Sequence, residues 1–300
     1  MLSIIIVHYN TVIELDQCLH SVLTFIKESE FEVIVLDNNS PDRAVEELPN
    51  RYPAVNFIFS KENLGFSKGN NFGASQSYGE YLLFLNPDTI LIEDCVTPLI
   101  NFISANSNAG VCSPMLVYKD LSFQNSTGSK MGILYESAEA FMFINLYRKI
   151  RNRINKKYLI AKKPFAVSWT SGAFMVLKKS IFEEAGGFNE NYFLNYEDHD
   201  LCKRIEDKGY TNYHFPYLKC IHLDQTSQKK DYISFVYNRY LSRIIYGRKH
   251  YNIFFRFIVN FIHINGLILR LMLVYFVYNG NERIQRGRGY LKSLKLYFDN

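Results

Sequence analysis

Four short apolar runs each end in a cluster of polar residues, and this pattern limits the possible folds more than any other feature of the chain. The runs are SIIIV (3–7), FEVIVLD (31–37), VNFIFS (55–60) and YLLFLN (81–86). Each is continuously apolar, as a strand buried on both faces must be. Between the first two lies a helical stripe in 12–28 (Val12, Leu15, Leu19, Val22, Leu23, Ile26). Residues 68–76 read as a short helix entered from a glycine-rich turn. Strands alternating with helices imply an α/β chain with a doubly wound, mostly parallel, Rossmann-like sheet and right-handed crossovers.

Beyond the fourth run the spacing predicts a helix over 93–106 and a strand over 109–118. Residues 119–165 lose clear period, and RKIRNRINKKYLIAKK (148–163) is the densest basic run. A strand pair and a short helix follow over 166–188, ending at Gly186 and Gly187. A helix over 197–208 stops at Gly209, a usual place for a glycine cap. Past Tyr217 the composition shifts to long aromatic and basic helices. Two domains are expected, 1–230 and a C-terminal helical appendage over 231–300.

With 300 residues, 48% hydrophobic and 21% charged, the chain can build a large core. The net charge of +5 is modest, and without a basic stripe or recognition motif it does not point to nucleic acid. Five cysteines (Cys18, Cys95, Cys112, Cys202, Cys220) lack any C-x-x-C spacing, so neither a zinc site nor a disulfide framework is expected. That fits a reducing cytosol. The first residues, MLSIIIVHYN, have no basic region ahead of a long apolar run and so do not read as a signal peptide.

The polar clusters carry the chemistry. HYN (8–10), DNNSPD (37–42), ENLGFSKGNNFGA (62–74) and NPDT (86–89) each follow one strand. Consecutive parallel strands put their carboxyl ends on one rim, where open α/β sheets bind ligands. Tyr9, Asp37, Asn63, Gly65, Asn71 and Asp88 therefore converge. Taken alone, NPDT is an ordinary turn; at a shared rim, its acid becomes a candidate for metal and phosphate.

Seven stretches occur in the order and spacing of family 2 glycosyltransferases: SIIIVHYNT, VIVLDNNSPD, NLGFSKGNNFGA, LFLNPDT, SGAFMVLKKSIFEEAGGFNENYF, YEDHDLCKRIEDKGY and IHLDQTS. The chain resembles the bacterial rhamnosyltransferase-like group of that family over roughly residues 1–230. The resemblance implies a GT-A fold and an inverting hexosyl transfer from a dTDP- or UDP-linked sugar to a glycan acceptor, polyprenyl-linked, in surface polysaccharide synthesis. It implies that Tyr9, Asp37 and Asn38 hold the base and ribose, while Asn63, Gly65 and Asn71 shape the donor loop, with Asn86 beside them. Lys68 is set aside as a solvated surface residue.

Asp88 matches the last acid of the family's Asp-x-Asp motif, and the chain departs from that motif at Asn86. Mg²⁺ or Mn²⁺ is the implied cofactor, and a single carboxylate can suffice beside substrate phosphates. His222 matches a late histidine that approaches the metal or diphosphate. Asp198 matches the catalytic base, with Glu197, Trp169 and Gly172 on the acceptor side. A helix N-terminus favours acids in any case, so Glu197 and Asp200 also have a bland reading. Trp169 equally reads as a buried core residue.

The apolar stretch 251–278 is interrupted by Arg256, Asn260, His263, Asn265 and Arg270. Charges are costly at bilayer depth, so helices lying in a membrane interface fit better than a transmembrane span. Arg243, Arg248, Lys249, Arg283, Arg286, Arg288, Lys292 and Lys295 flank the stretch and suit an anionic surface. The expectation is a cytoplasmic protein, peripheral on the inner face of the membrane; a packing or dimer helix is the alternative. Two other readings of the whole chain stay open, a sugar nucleotidyltransferase and a non-catalytic nucleotide-sugar binder or scaffold.

Overall fold

The computed structural model describes residues 1–27, 30–128, 130–154, 162–193, 195–223 and 232–299. The chain forms two compact units. One comprises Met1–Ser129, Lys157–Glu190 and Glu197–Ser227; the other comprises Lys130–Lys156, Asn191–Tyr196 and Gln228–Asn300. The helical unit is thus assembled from three stretches of chain, not only from the C-terminal one.

The first unit is built on a nine-stranded mixed sheet among the described residues. Its strands are β1 (Leu2–His8), β2 (Phe31–Asp37), β3 (Val55–Phe59), β4 (Tyr81–Leu85), β5 (Thr89–Leu91), β6 (Ala109–Val117), β8 (Phe165–Val167), β10 (Phe174–Lys178) and β11 (Thr211–His222). The order runs β3-β2-β1-β4-β10-β6-β11-β5, with β8 on β11. β7 (Thr127–Gly128) and β9 (Trp169–Thr170) form a separate two-stranded ladder. The four apolar runs of the sequence are β1 to β4, mutually parallel, and the central β4 is buried along its whole length.

Helices α1 (Val12–Phe25), α2 (Leu48–Arg51), α3 (Gly65–Ser75) and α4 (Thr97–Ala105) complete the first half. α1 buries Leu15, Leu19 and Val22 of the expected stripe, with Cys18 beside them, whereas Leu23 is exposed. α3 lies directly on β1 because it presents glycines there. A Cβ at Gly73 would come within 2.5 Å of Ile5 Cγ2, and one at Gly69 within 3.0 Å of Val7 Cγ1. Close helix–sheet approach of this kind brings the N-terminal turn of α3 to the rim.

Two features differ from the sequence reading. β10 runs antiparallel between β4 and β6, pairing Phe174 with Leu85 and Val176 with Cys112. And β11 continues to His222, past the Tyr217 at which helices were expected. Pro216 interrupts the β11 ladder because proline has no N–H to donate. The register on β6 jumps between Phe215 and Lys219, after which β11 pairs His222 with Thr89 of β5. Helices α7 (Lys179–Glu184) and α8 (Glu197–Asp207) finish this unit. Its cysteines are buried free thiols.

The second unit contains α5 (Ile133–Ala140), α6 (Ile144–Ile154), α9 (Tyr232–His250), α10 (Ile253–Val277) and α11 (Gly280–Lys295). Buried charges tie three of these helices together. Glu136 and Glu139 on α5 meet Arg239 and Arg243 on α9, and His263 on α10. His263 Nε2 donates to Glu136 Oε2 at 2.8 Å, while its Nδ1 accepts from Arg243 at 3.0 Å. Burial and the Arg243 charge push His263 down to about 4, so it is neutral and two acids face two guanidiniums. α10 buries Val259, His263, Gly266, Leu267 and Val274 on one side. Its other side exposes Phe254, Phe257, Phe261, Met272, Tyr275 and Phe276.

Candidate active site

β1 and β2 end in register, and their last residues form a buried pair. His8 Nδ1 contacts Asp37 Oδ1 at 2.9 Å, and both side chains are almost wholly buried. Asp37 also accepts from the Ser40 hydroxyl at 2.5 Å and from Ser40 N at 3.1 Å. Burial opposes the charge, but His8 and these bonds outweigh it and hold Asp37 below its usual carboxylate range. Asn10 N donates to Ser40 Oγ and Thr11 N to His8 Nε2. This network braces the turn that carries Tyr9, which is 42% exposed and free to stack.

Asn38 is likewise turned inward. Its side chain accepts from Leu64 N at 2.7 Å and donates to Asn63 Oδ1 at 3.0 Å and Gly65 O at 3.2 Å. Asn63 Oδ1 also accepts from Gly65 N at 2.9 Å. Gly65 has φ +73°, a left-handed conformation that favours glycine. Asn71 bonds both backbone groups of Phe188, at 2.8 Å each, and Glu190 at 3.1 Å. The structure therefore uses Asp37, Asn38, Asn63 and Asn71 to shape the loops of the rim, and leaves Tyr9 as the outward-facing member of the expected nucleotide set. Lys68 is exposed.

The NPDT turn after β4 meets the end of β11. His222 Nε2 lies 3.3 Å from Asp88 Oδ1 and 3.5 Å from Asn86 Nδ2. The other imidazole nitrogen, Nδ1, donates to Gln124 Oε1 at 2.9 Å. With the proton on Nδ1, the Nε2 lone pair and the Asp88 carboxylate face each other, an arrangement that suits a divalent cation. Residues 224–227, the last four of IHLDQTS, lie outside the described residues. No cluster of three or more His, Cys, Asp or Glu side chains fit for a metal occurs among the described residues. The remaining ligands of a cation here would have to come from substrate and water, as they do for Mg²⁺ at phosphate sites.

At the start of β10, one peptide segment holds both halves of the site. Gly172 N donates to Asp198 Oδ2 at 3.0 Å, and Ala173 O accepts from Asn86 N at 3.0 Å. A Cβ at Gly172 would lie 3.1 Å from the Phe66 ring and 3.6 Å from Asp198 Cβ, so glycine permits the approach. Asp198 lies in the first turn of α8, where the helix dipole favours an acid. Its Oδ1 accepts from His199 N and from His199 Nδ1, at 2.7 Å each. Burial works against its charge, yet His199 and the Gly172 bond keep its carboxyl below the usual range. The His199 ring stacks on Trp169, 4.1 Å between centroids and 25° between planes.

Glu197 is the opposite case. It is 6% exposed and its Oε2 has no partner among the described residues. Burial first, then the neighbouring Asp198 charge, raise its carboxyl well above the ordinary range. Two adjacent acids are thereby driven apart, one ionised and one protonated near neutrality. Sequence reasoning named Asp37, Asp198 and His222 but missed the side chains that hold them. His8 was visible only as the residue before Tyr9, His199 only as a helix residue, and Gln124 sat in the stretch without period.

Comparison with known proteins shows the family and the fold. The description Glycosyl transferase family 2 matches residues 3–186. Rhamnosyltransferase WbbL of Escherichia coli (strain K12) is 27% identical over 205 residues, covering 65% of this chain and 74% of the relative. An N-acetylglucosaminyl-diphospho-decaprenol L-rhamnosyltransferase of Mycobacterium tuberculosis is 24% identical over 242 residues, covering 77% of this chain and 78% of the relative. Among solved structures, GalNAc-T7 with UDP, GalNAc and Mn²⁺ superposes with a TM-score of 0.63 at 13% identity. That match covers 100% of this chain and 56% of the other, and it shows a shared GT-A-like fold.

The Glu197 environment has a measurable consequence. A carboxyl raised in the folded state binds more protons there than in the unfolded chain, so it costs stability as pH rises above its unfolded value of about 4.3. Glu197→Gln keeps the shape and removes the ionisation. Its unfolding free energy should therefore exceed the wild type's by roughly 1–3 kcal/mol at pH 8, the scale of an unpaired buried polar group. At pH 4, below the unfolded value, the two should nearly coincide. Denaturant unfolding at the two pH values is the check, and an equal offset at both would show that burial does not raise Glu197.

Proposed function

The chain belongs to glycosyl transferase family 2, and on that premise we propose that it transfers a rhamnose-like hexose or deoxyhexose, with inversion, from a dTDP- or UDP-linked donor to a polyprenyl-linked glycan. The observation that carries the reading is the segment Gly172–Ala173, which fixes a buried, ionised Asp198 and the Asn86–Asp88 turn on neighbouring residues. Inverting transfer needs that pairing, a proton acceptor for the incoming hydroxyl and a charge-neutralising site for the departing diphosphate. The rhamnose-like donor and the lipid-linked acceptor are supported by the names of the relatives.

In this mechanism Tyr9 stacks on the base of the nucleotide. Asp198 takes the proton of the acceptor hydroxyl as that oxygen forms a bond to the anomeric carbon. The bond from the same carbon to the diphosphate oxygen breaks on the opposite face, and the electron pair leaves with the nucleoside diphosphate. His199 and Gly172 hold three of the lone pairs of Asp198, which leaves the carboxylate oriented and charged before substrate arrives. Glu197, protonated, can donate a hydrogen bond beside it. Asp88 and His222 would hold Mg²⁺ or Mn²⁺, with Gln124 fixing the imidazole. When bound, such a cation acts as a Lewis acid that neutralises charge on the leaving group.

The acceptor reading brings in the membrane. α10 is long and apolar enough to cross a bilayer by length and composition. Yet its buried face carries His263 within the ion network, and Arg270 donates to Glu139 O at 2.6 Å. An interfacial role on the inner leaflet fits this helix better: the outward aromatic stripe would enter the lipid, and Arg288, Lys292 and Lys295 would meet anionic headgroups.

Three outcomes test the proposal. Asp198→Asn should lower turnover by roughly 10²-fold or more with little change in donor binding, measured as sugar transfer and as calorimetric nucleotide affinity. Near-normal transfer would take Asp198 out of this role. Asp88→Ala should weaken nucleoside diphosphate binding in Mg²⁺ or Mn²⁺ by about tenfold or more, and chelator should abolish wild-type transfer. Full activity in chelator would mean that the Asn86 variant of the motif works without metal. Finally, the protein should sediment with anionic vesicles, release as salt rises, and extract at alkaline pH. Phe254→Ser with Phe257→Ser and Phe261→Ser should stay in the supernatant, and so should the wild type if α10 is only a packing helix.

A further inference from the structure

The helical unit contains a cavity of about 200 Å³ lined by Ile244, Arg248, Arg256, Asn260, Leu296 and Tyr297. That is roughly ten or more times the space one water needs. Two guanidiniums and an amide line it, and no acid does.

The other arginines with contacts on these helices have charged or polar partners, although the Nε atoms of Arg243 and Arg270 make no hydrogen bond among the described residues. Arg239 and Arg243 pair with Glu139, Arg286 with Glu282, Arg270 with a backbone carbonyl, and Arg283 with Tyr278 O and Asn279. Arg248 and Arg256 have no ion pair or side-chain hydrogen bond among the described residues. Arg248 lies in the last turn of α9, where the helix dipole favours a cation. Arg256 is harder to explain. It sits in the first turn of α10, where the dipole disfavours a cation, and that turn contains no acid to offset it. Tyr297, on the same cavity, has a buried hydroxyl without a partner. Arg248 is exposed and Arg256 half-buried, so water screens part of their repulsion, and an anion between them would offset the rest.

We propose that this cavity is a binding site for a phosphate group, held by the Arg248 and Arg256 forks with Asn260 and Tyr297 as further donors. Guanidinium forks match the paired oxygens of a phosphate and keep their charge at any physiological pH. Two sources share this chemistry, a soluble phosphate and the phosphate headgroup of a lipid. The site lies within the helical unit and is independent of the donor site, whose residues belong to the other unit.

The test uses the full chain, with the phosphate titration done without divalent metal. Calorimetric titration with inorganic phosphate at low ionic strength should show saturable binding. Arg248→Gln with Arg256→Gln should weaken it at least tenfold, and so should Asn260→Leu, which changes no charge. Nucleoside diphosphate binding in Mg²⁺ should be unaffected in both variants, which also reports that they are folded. Flotation with phosphatidic acid vesicles, against vesicles of equal charge made with oleate, separates the sources. A preference for phosphatidic acid that both variants lose assigns the site to a lipid phosphate, whereas phosphate binding with no such preference assigns it to a soluble one. Phosphate binding that is absent in the wild type, or unchanged in both variants, overturns the proposal.

Discussion

One reversed strand governs the rim. Between β4 and β6, β10 runs antiparallel, so its first residues lie at the same edge as the last residues of β4. A parallel strand in that position would put its start at the far edge. Because of the reversal, the peptide Gly172–Ala173 can reach the NPDT turn with its carbonyl and Asp198 with its N–H. The Asn86–Ala173 bond is an ordinary hydrogen bond of about 1 kcal/mol net, and the Gly172 bond to the ionised Asp198 is worth about 1.5–3 kcal/mol. Their value is positional: they fix two acidic elements against the rigid centre of a sheet. Catalytic constellations need this support, since small displacements of a base or a charge clamp are costly in rate.

How far the sequence disclosed this depends on what each segment buries. β1 to β4 were legible because a strand covered on both faces must be apolar without interruption. α1 was legible because its buried residues recur at helical spacing. α5 was not, and Glu136 and Glu139 show why. They occupy the buried face of the helix, so the segment carries acids where period analysis looks for apolar residues. Their partners lie a hundred residues or more away in sequence, on α9 and α10. β11 was hidden by Pro216, which argues against a strand by itself; only the register jump on β6 accommodates it.

The site divides along the same line. Position after a strand singled out Tyr9 and Asp88 as candidates, while Asp198 and His222 were named only through the family resemblance; the structure sets His222 beside Asp88, and Asp198 in the first turn of α8. What the sequence hid was the second layer of contacts. Asp37 reads like a ligand-binding acid, but His8 in the adjacent strand takes one of its oxygens and Ser40 shares both. Asn71 looks like part of the donor loop, but it clamps Phe188 more than a hundred residues on. Side chains that end strands have two possible duties, and only spatial pairing decides which one they serve.

The amide at Asn86 has an electrostatic logic within this arrangement. With an aspartate there, two carboxylates would crowd one turn, and the backbone N–H of that residue would remain tied to Ala173. The amide instead turns a donor toward His222 Nε2 at 3.5 Å, beside Asp88 Oδ1 at 3.3 Å from the same nitrogen. The turn therefore offers one negative charge rather than two. At the other end of Gly172, the adjacent acids obey the same economy: Asp198 stays ionised through its bonds to His199 and Gly172, and Glu197 is kept protonated by burial beside it. Each end of the rim thus presents a single unit of negative charge. Two titratable groups pushed apart by their surroundings are the usual means by which one site holds a base and an acid together. Here that separation follows from burial, which raises Glu197, and from His199 and then Gly172, which hold Asp198 ionised.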